Sequence, residues 1–137
     1  MKNYAKIVLS EPQELFPEHK NPSLPKSFRH AWLGICHAFT NERNFRVHTV
    51  FAIMAATFCI LFRLEALYSF MVMYAVFFVL CMELVNTAVE TVIDLICGQK
   101  DHPLAKIAKD CCAGAVLLAS LQAILVAAIV LQHLLTR

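Results

Sequence analysis

Three long stretches of this 137-residue chain lack formally charged residues, and they constrain its fold more than any other feature. They are residues 47–62, 66–82 and 111–136, and the helical pattern of the second continues to about Cys97. Runs of this length approach or exceed the ~30 Å apolar core of a bilayer when helical. The chain is 59% hydrophobic and only 16% charged, unlike ordinary soluble domains. We therefore predict an all-α membrane protein with three transmembrane helices, in preference to a soluble helical bundle.

The first 27 residues differ in character, since they contain four of the five prolines. We predict a flexible polar tail over 1–27 and a membrane-embedded domain over 28–137. The tail lacks the apolar core of a secretory signal, so we expect no cleavage. Between Phe28 and Phe39, apolar residues recur at helical spacing, and basic residues lie off that stripe. This pattern predicts an amphipathic helix at the membrane interface, or one packed on the protein's own bundle.

Basic residues are distributed unevenly around the three apolar runs. Ten lie in the N-terminal flank and in residues 98–110, whereas only Arg63 and Arg137 lie on the opposite side. The positive-inside rule therefore places the N-terminus and the 98–110 segment in the cytoplasm. A net charge of +2 argues against nucleic acid as a partner, and three glycines are too few for glycine-rich phosphate loops. The six cysteines lack zinc-site spacing and are interpreted as packing residues.

Four polar residues interrupt the end of the second apolar helix, namely Glu83, Asn86, Glu90 and Asp94. At about 100° per residue they share one narrow stripe of that helix. Carboxylates at membrane depth are costly and usually mark a functional site. For the two outermost acids, simple solvation among lipid headgroups is the alternative interpretation.

Neighbouring carboxylates repel one another unless a cation neutralises them. Lys106 and Lys109, followed by Asp110, offer one source of positive charge, and a divalent metal is the other. Glu42, just before the first apolar run, is a further acid that could join the site. Oxygen ligands, basic groups and one deep carboxylate are the components of metal-dependent phosphoryl transfer to a membrane alcohol. A small oligomeric transporter, in which the same acids relay protons or cations, is the alternative.

Three segments of the sequence resemble the motifs of a known protein family. They are NERNFRVH at 41–48, ELVNTAVETVID at 83–94 and HPLAKIAKDCCAGAVLLA at 102–119. Together they closely resemble the prokaryotic diacylglycerol kinase and undecaprenol kinase family, over roughly residues 26–135. The resemblance implies a bacterial inner-membrane kinase with three transmembrane helices and an interfacial helix. It further implies a homotrimer with shared active sites, which uses ATP and Mg²⁺ to phosphorylate a lipid alcohol on the cytoplasmic side.

The resemblance also assigns roles to individual residues. Glu83 matches the general base that deprotonates the lipid hydroxyl, and Glu42 and Glu90 match the acids that hold Mg²⁺. The positions matching ATP-binding residues are His30, Lys100, Asp101, His102, Lys109 and Asp110. Those matching supporting or substrate-binding residues are Arg46, His48, Asn86 and Asp94.

His48 distinguishes two branches of that family. Members that phosphorylate diacylglycerol have a second glutamate at this position, whereas a histidine resembles the branch that acts on undecaprenol. We therefore expect undecaprenol to be the acceptor, with diacylglycerol as the alternative.

Overall fold

A computed structural model describes residues 23–98 and 102–136, in which all regular secondary structure is helical. The four helices are α1 (Leu24–Asn41), α2 (Arg43–Leu61), α3 (Ala66–Cys97) and α4 (Pro103–Thr136). Helices α2, α3 and α4 are each long and apolar enough to cross a membrane. The predicted fold class and the three transmembrane helices are thus confirmed. Most of the predicted tail, together with Lys100 and Asp101, lies outside the described residues.

Helices α1, α2 and α4 begin earlier in the chain than the apolar runs predicted. Helix α1 starts at Leu24 and not at Phe28, because a proline such as Pro25 is tolerated in a first helical turn. Helix α2 starts at Arg43, before the uncharged run begins. Helix α4 starts at Pro103, so Lys106 and Lys109 of the 98–110 segment lie on a helix. Charged side chains therefore occupy the first turns of two membrane-crossing helices.

The chain forms two compact units, residues 1–34 and 35–137. The described part of the first unit is the beginning of α1, where the large apolar side chains of Phe28 and Trp32 are exposed, as an interfacial helix requires. The second unit contains the end of α1 and the three long helices. Within it, α3 packs against both α2 and α4. Helix α3 is therefore the element on which a site can be assembled from several helices.

Two backbone features set the ends of α3. The connection from α2 to α3 spans only residues 62–65, and a link this short makes the two helices antiparallel neighbours. Arg63 adopts φ 46° in this turn, and the N–H of Leu64 donates to the carbonyl of Cys59 at 3.1 Å. At the other end, Gly98 has φ 58° and donates its N–H to the carbonyl of Asp94 at 2.9 Å. Glycine suits this position because a Cβ is strained at positive φ.

Most of the apolar surface of the three long helices is exposed within one chain. In their most apolar windows only 11%, 22% and 17% of residues are buried, for α2, α3 and α4 respectively. A soluble bundle would bury these faces, so the exposed surface requires lipid or further protein. The main buried stripe of α3 consists of residues spaced four apart: Ala75, Val79, Glu83 and Thr87.

Candidate active site

Glu83 lies in the buried stripe of α3, where its neighbours four and eight residues earlier are Val79 and Ala75. Only 3% of its surface is exposed, so its carboxylate is sequestered between helices. The Nε2 atom of His48, on α2, lies 3.5 Å from Oε1 of Glu83. Thr87 donates its hydroxyl to the backbone carbonyl of Glu83 at 3.0 Å, so it does not compete for the carboxylate. Glu83, the deepest predicted acid, therefore faces a histidine and not the surrounding bilayer.

Asn86 and Glu90 lie one to two turns beyond Glu83 on the same helix. Asn86 donates from Nδ2 to Oε1 of Glu90 at 3.2 Å, which confirms that these two side chains are neighbours. The Oδ1 atom of Asn86 is buried and has no hydrogen-bond partner among the described residues. Buried polar atoms normally have a partner, so this oxygen indicates a place for a donor or a cation.

Glu42 lies directly before α2 and joins the acids of α3. It is the N-cap residue of α2, yet its side chain makes no capping hydrogen bond, so its carboxylate is available for another role. Glu42 and Glu90 both interact electrostatically with Glu83. Glu83 is therefore influenced by one carboxylate of its own helix and by one that precedes α2.

These oxygen donors fit a divalent cation that is only partly coordinated by protein. No group of three His, Cys, Asp or Glu residues close enough to hold a metal occurs in the described part of the chain. Mg²⁺ typically takes one or two carboxylates and completes its shell with phosphate oxygens and water. Glu42 and Glu90, together with the unpartnered Asn86 oxygen, are compatible with that kind of site.

A groove of about 640 Å³ lies where α3 ends and α4 begins. Its polar lining residues are Asp94, His102, Lys106, Lys109 and Asp110, and Ile93 and Cys97 contribute to its apolar part. The Nζ atom of Lys109 donates to Oδ1 of Asp94 at 2.6 Å, which ties α4 to α3. His102 accepts the backbone N–H of Leu104 at its Nδ1 atom, at 3.2 Å. The groove therefore combines two lysines with acidic and imidazole groups near the end of the polar stripe.

Arg46 and His30 are the remaining predicted residues that the structure describes. Arg46 donates from Nη1 to the carbonyl of Thr40 at 2.8 Å and to that of Phe39 at 3.4 Å. It therefore satisfies carbonyls at the end of α1. His30 is exposed on the part of α1 that belongs to the first unit.

Sequence reasoning missed polar groups that the structure buries, among them Thr87 and the side-chain oxygen of Gln122. Thr87 could have been found, because it lies four residues from Glu83 and therefore on the same face. Gln122 lines a second groove, of about 460 Å³, between α3 and α4. Its Oε1 atom is buried without a hydrogen-bond partner in the described structure. The available signal was an amide in the middle of a 26-residue uncharged run.

The fold and the site together define a class: a helical integral-membrane protein with a buried carboxylate and a groove that contains basic side chains. The model of the family described as prokaryotic diacylglycerol kinase matches residues 29–131, and the chain belongs to this family. The protein is therefore a membrane lipid kinase of bacterial type, which uses ATP and a divalent metal. This result decides against the transporter that the acidic stripe alone left open.

Three relatives show how similar the chain is to members of this family. The chain is 45% identical to a diacylglycerol kinase of Synechocystis sp. over 125 residues, covering 88% of this chain and 71% of the relative. It is 41% identical to an undecaprenol kinase of Bacillus subtilis over 91 residues, covering 66% and 73%. It is 31% identical to a diacylglycerol kinase of Escherichia coli over 100 residues, covering 73% and 81%.

Proposed function

We propose that this protein transfers the γ-phosphoryl group of ATP to the hydroxyl of undecaprenol at the cytoplasmic face of the membrane. The observation that carries the proposal is the burial of Glu83 within a membrane-crossing helix, beside His48. A carboxylate with 3% exposure can remove a proton from a lipid hydroxyl while water is excluded from the reacting atoms.

The groove at the start of α4 is the proposed nucleotide site. Lys106 and Lys109 line it and supply positive charge for phosphate oxygens. Asp94 holds the Lys109 ammonium at 2.6 Å, so that it stays at the groove. His102 and Asp110 line the same groove and complete its polar surface. The family resemblance implies that Lys100, Asp101 and His30 are further nucleotide-binding residues, and we include them in the proposal.

The chemical step assigned to Glu83 is a proton transfer. Its carboxylate takes the proton of the acceptor hydroxyl as that oxygen bonds to the γ-phosphorus, while the bond from the γ-phosphorus to the β-bridging oxygen breaks and ADP leaves. Glu42 and Glu90 would hold Mg²⁺, which when bound offsets the negative charge of the phosphates. The hydrogen bond from Asn86 orients the Glu90 carboxylate for that role.

The acceptor is inferred from His48. In place of a second acid next to Glu83, the chain has an imidazole, which can both donate and accept a hydrogen bond when neutral. A polyprenol presents a hydroxyl followed only by hydrocarbon, whereas diacylglycerol also presents two ester carbonyls. A site with fewer anions and one imidazole suits the simpler head group. Diacylglycerol is the second candidate, because a relative with 45% identity is named a diacylglycerol kinase.

The test is phosphorylation by purified protein in mixed micelles, with radiolabelled ATP and each lipid offered separately. We expect kcat/KM for undecaprenol to exceed that for diacylglycerol by about tenfold to hundredfold, since a hydrogen-bonding mismatch costs ~1–3 kcal/mol. In His48→Glu the preference should shift towards diacylglycerol. Equal or higher kcat/KM for diacylglycerol in the unmodified protein would reverse the acceptor assignment and leave the kinase assignment intact.

We also propose that the protein works as a homotrimer with shared active sites and a cytoplasmic N-terminus. The exposed apolar faces of α2, α3 and α4 provide surface for packing between copies. Native mass spectrometry in detergent should detect three copies. If sites are shared, mixing Glu83→Gln chains with Lys109→Met chains should raise turnover, measured at ATP concentrations below KM, above the average of the two variants assayed alone. Monomeric protein, or mixtures no more active than that average, would contradict this arrangement.

A further inference from the structure

We propose that His48 carries the catalytic proton between Glu83 and the aqueous phase, as a positioning and relay residue for the general base. The inference rests on the proposed function, in which Glu83 deprotonates the lipid hydroxyl. It assigns His48 a role in every turnover, whichever lipid is the acceptor.

The need for a relay follows from the burial of Glu83. Each turnover leaves a proton on this side chain, and the next turnover requires the carboxylate again. Because 3% of Glu83 is exposed, direct exchange of this proton with water is obstructed. A second group must therefore accept the proton and pass it to solvent.

His48 has the geometry for that task. Its Nε2 atom lies 3.5 Å from Oε1 of Glu83, and such distances shorten when substrate is bound. The His48 side chain is 24% exposed, against 4% for that of Glu83. His48 is also only five residues from the start of α2, or about 8 Å along the helix, and the charged residues Arg43 and Arg46 precede it. It therefore connects a buried acid to an accessible region.

The other charged groups near this pair are less suited to relay a proton. Glu42 and Glu90 interact with Glu83 electrostatically but are the proposed metal-holding acids. The Arg46 guanidinium donates to two carbonyls of α1 and cannot accept a proton. Among the described residues, His48 is the side chain within ion-pair distance of the Glu83 carboxylate.

The relay is balanced in protons. The carboxylic acid of Glu83 gives its proton to Nε2 of neutral His48, which leaves a carboxylate and an imidazolium. The imidazolium then releases the proton carried on Nδ1 to water, and tautomer exchange or ring rotation restores an acceptor at Nε2. Histidine suits this cycle because its ordinary pKa lies close to physiological pH.

The experiment compares His48→Gln and His48→Ala with the unmodified protein in the mixed-micelle assay. The Gln variant keeps a polar atom near the position of Nε2 but cannot relay a proton. We expect kcat to fall on the order of tenfold to hundredfold, with the lipid KM changed by less than about twofold. Added imidazole should restore kcat of His48→Ala, whereas pyrazole, of the same shape but far weaker as a base, should not. The control is His133→Gln, the same substitution in the last turn of α4, and this variant should keep full kcat.

The possible outcomes separate the relay from the proposed function. If the unmodified protein phosphorylates neither lipid, the proposed function fails. If the unmodified protein is active and His48→Gln keeps its kcat, or changes only in its KM for the lipid, the relay is wrong. Equal rescue by imidazole and pyrazole would also overturn it, because a purely space-filling role predicts that result.

Discussion

The two halves of α3 use the same buried stripe for different purposes. In the first half the stripe consists of Ala75 and Val79, and in the second half it continues as Glu83 and Thr87. On the first half, Phe70, Tyr74 and Phe78 form an exposed aromatic stack with ring centroids 6.1 and 6.5 Å apart. The second half bears no such stack and instead has acids that pair with α2 and α4.

The comparison shows that burial in this helix depends on available partners and not on hydropathy alone. Glu83 is buried as deeply as Val79 because His48 lies opposite its carboxylate. Asp94 is exposed but is held by Lys109. The members of the stripe in the first half, Ala75 and Val79, are apolar and need no such partner. The first half of α3 therefore contributes apolar packing, and the second half contributes the polar residues of the site.

The largest expected effect comes from removing the charge at the junction of the two halves. Glu83→Gln should lower kcat by ~10²–10⁴, because a positioned base contributes about that factor and the amide keeps the side-chain shape. The control is Glu65→Gln, the same substitution at the N-cap of α3, which should retain activity. Circular dichroism in detergent should show unchanged helicity. Near-normal turnover by folded Glu83→Gln would remove Glu83 from the catalytic role.

The second prediction places a charge in the apolar half. Val79→Asp should make membrane insertion less favourable by about 2.5–3.5 kcal/mol, the cost of an acid at the centre of a membrane helix, and should lower the thermal unfolding midpoint. Val79→Thr is the matched control, since its hydroxyl can bond the carbonyl four residues earlier, as Thr87 does. Yield from membranes and the thermal unfolding midpoint provide the measurement. If Val79→Asp were as stable as Val79→Thr, partners would not explain why the halves differ.

A smaller effect is expected from the acids proposed to hold the metal. Glu42→Gln and Glu90→Gln should each raise the Mg²⁺ concentration for half-maximal activity by on the order of tenfold to hundredfold. Activity titrated against Mg²⁺ measures this shift, and Glu65→Gln serves again as a control. A variant that keeps the unmodified titration curve is not a metal ligand.

The smallest expected effect concerns the ion pair at the end of the polar half. Lys109→Met should raise KM for ATP several-fold and leave the thermal midpoint nearly unchanged, because this pair is 36% and 61% exposed and such pairs add little stability. Asp94→Asn is the comparison variant and should have a weaker effect on KM, since Lys109 remains and the asparagine Oδ1 can still accept its hydrogen bond. Identical KM values for the two variants would mean that Lys109 acts only through Asp94.

Several features were determined by the sequence itself. Hydropathy and length are local properties, so three uncharged runs were sufficient to predict α2, α3 and α4. Helical periodicity likewise placed Glu83, Asn86 and Glu90 on one face, and the hydrogen bond from Asn86 to Glu90 confirms their proximity. The three motifs were also sufficient to identify the kinase family, since the family model matches the region that contains them.

Only the tertiary structure decided which partners these residues have. Periodicity defines a face of a helix but not the helix opposite it, so the sequence could not place His48 next to Glu83. Nor could it show that Lys109 donates a hydrogen bond to Asp94 across the groove, or that Arg46 donates to a backbone carbonyl of α1. These contacts join residues 6 to 35 positions apart in the chain, and they form only when the helices pack together. Packing between helices, and not the pattern within one helix, therefore turns a stripe of polar residues into a site.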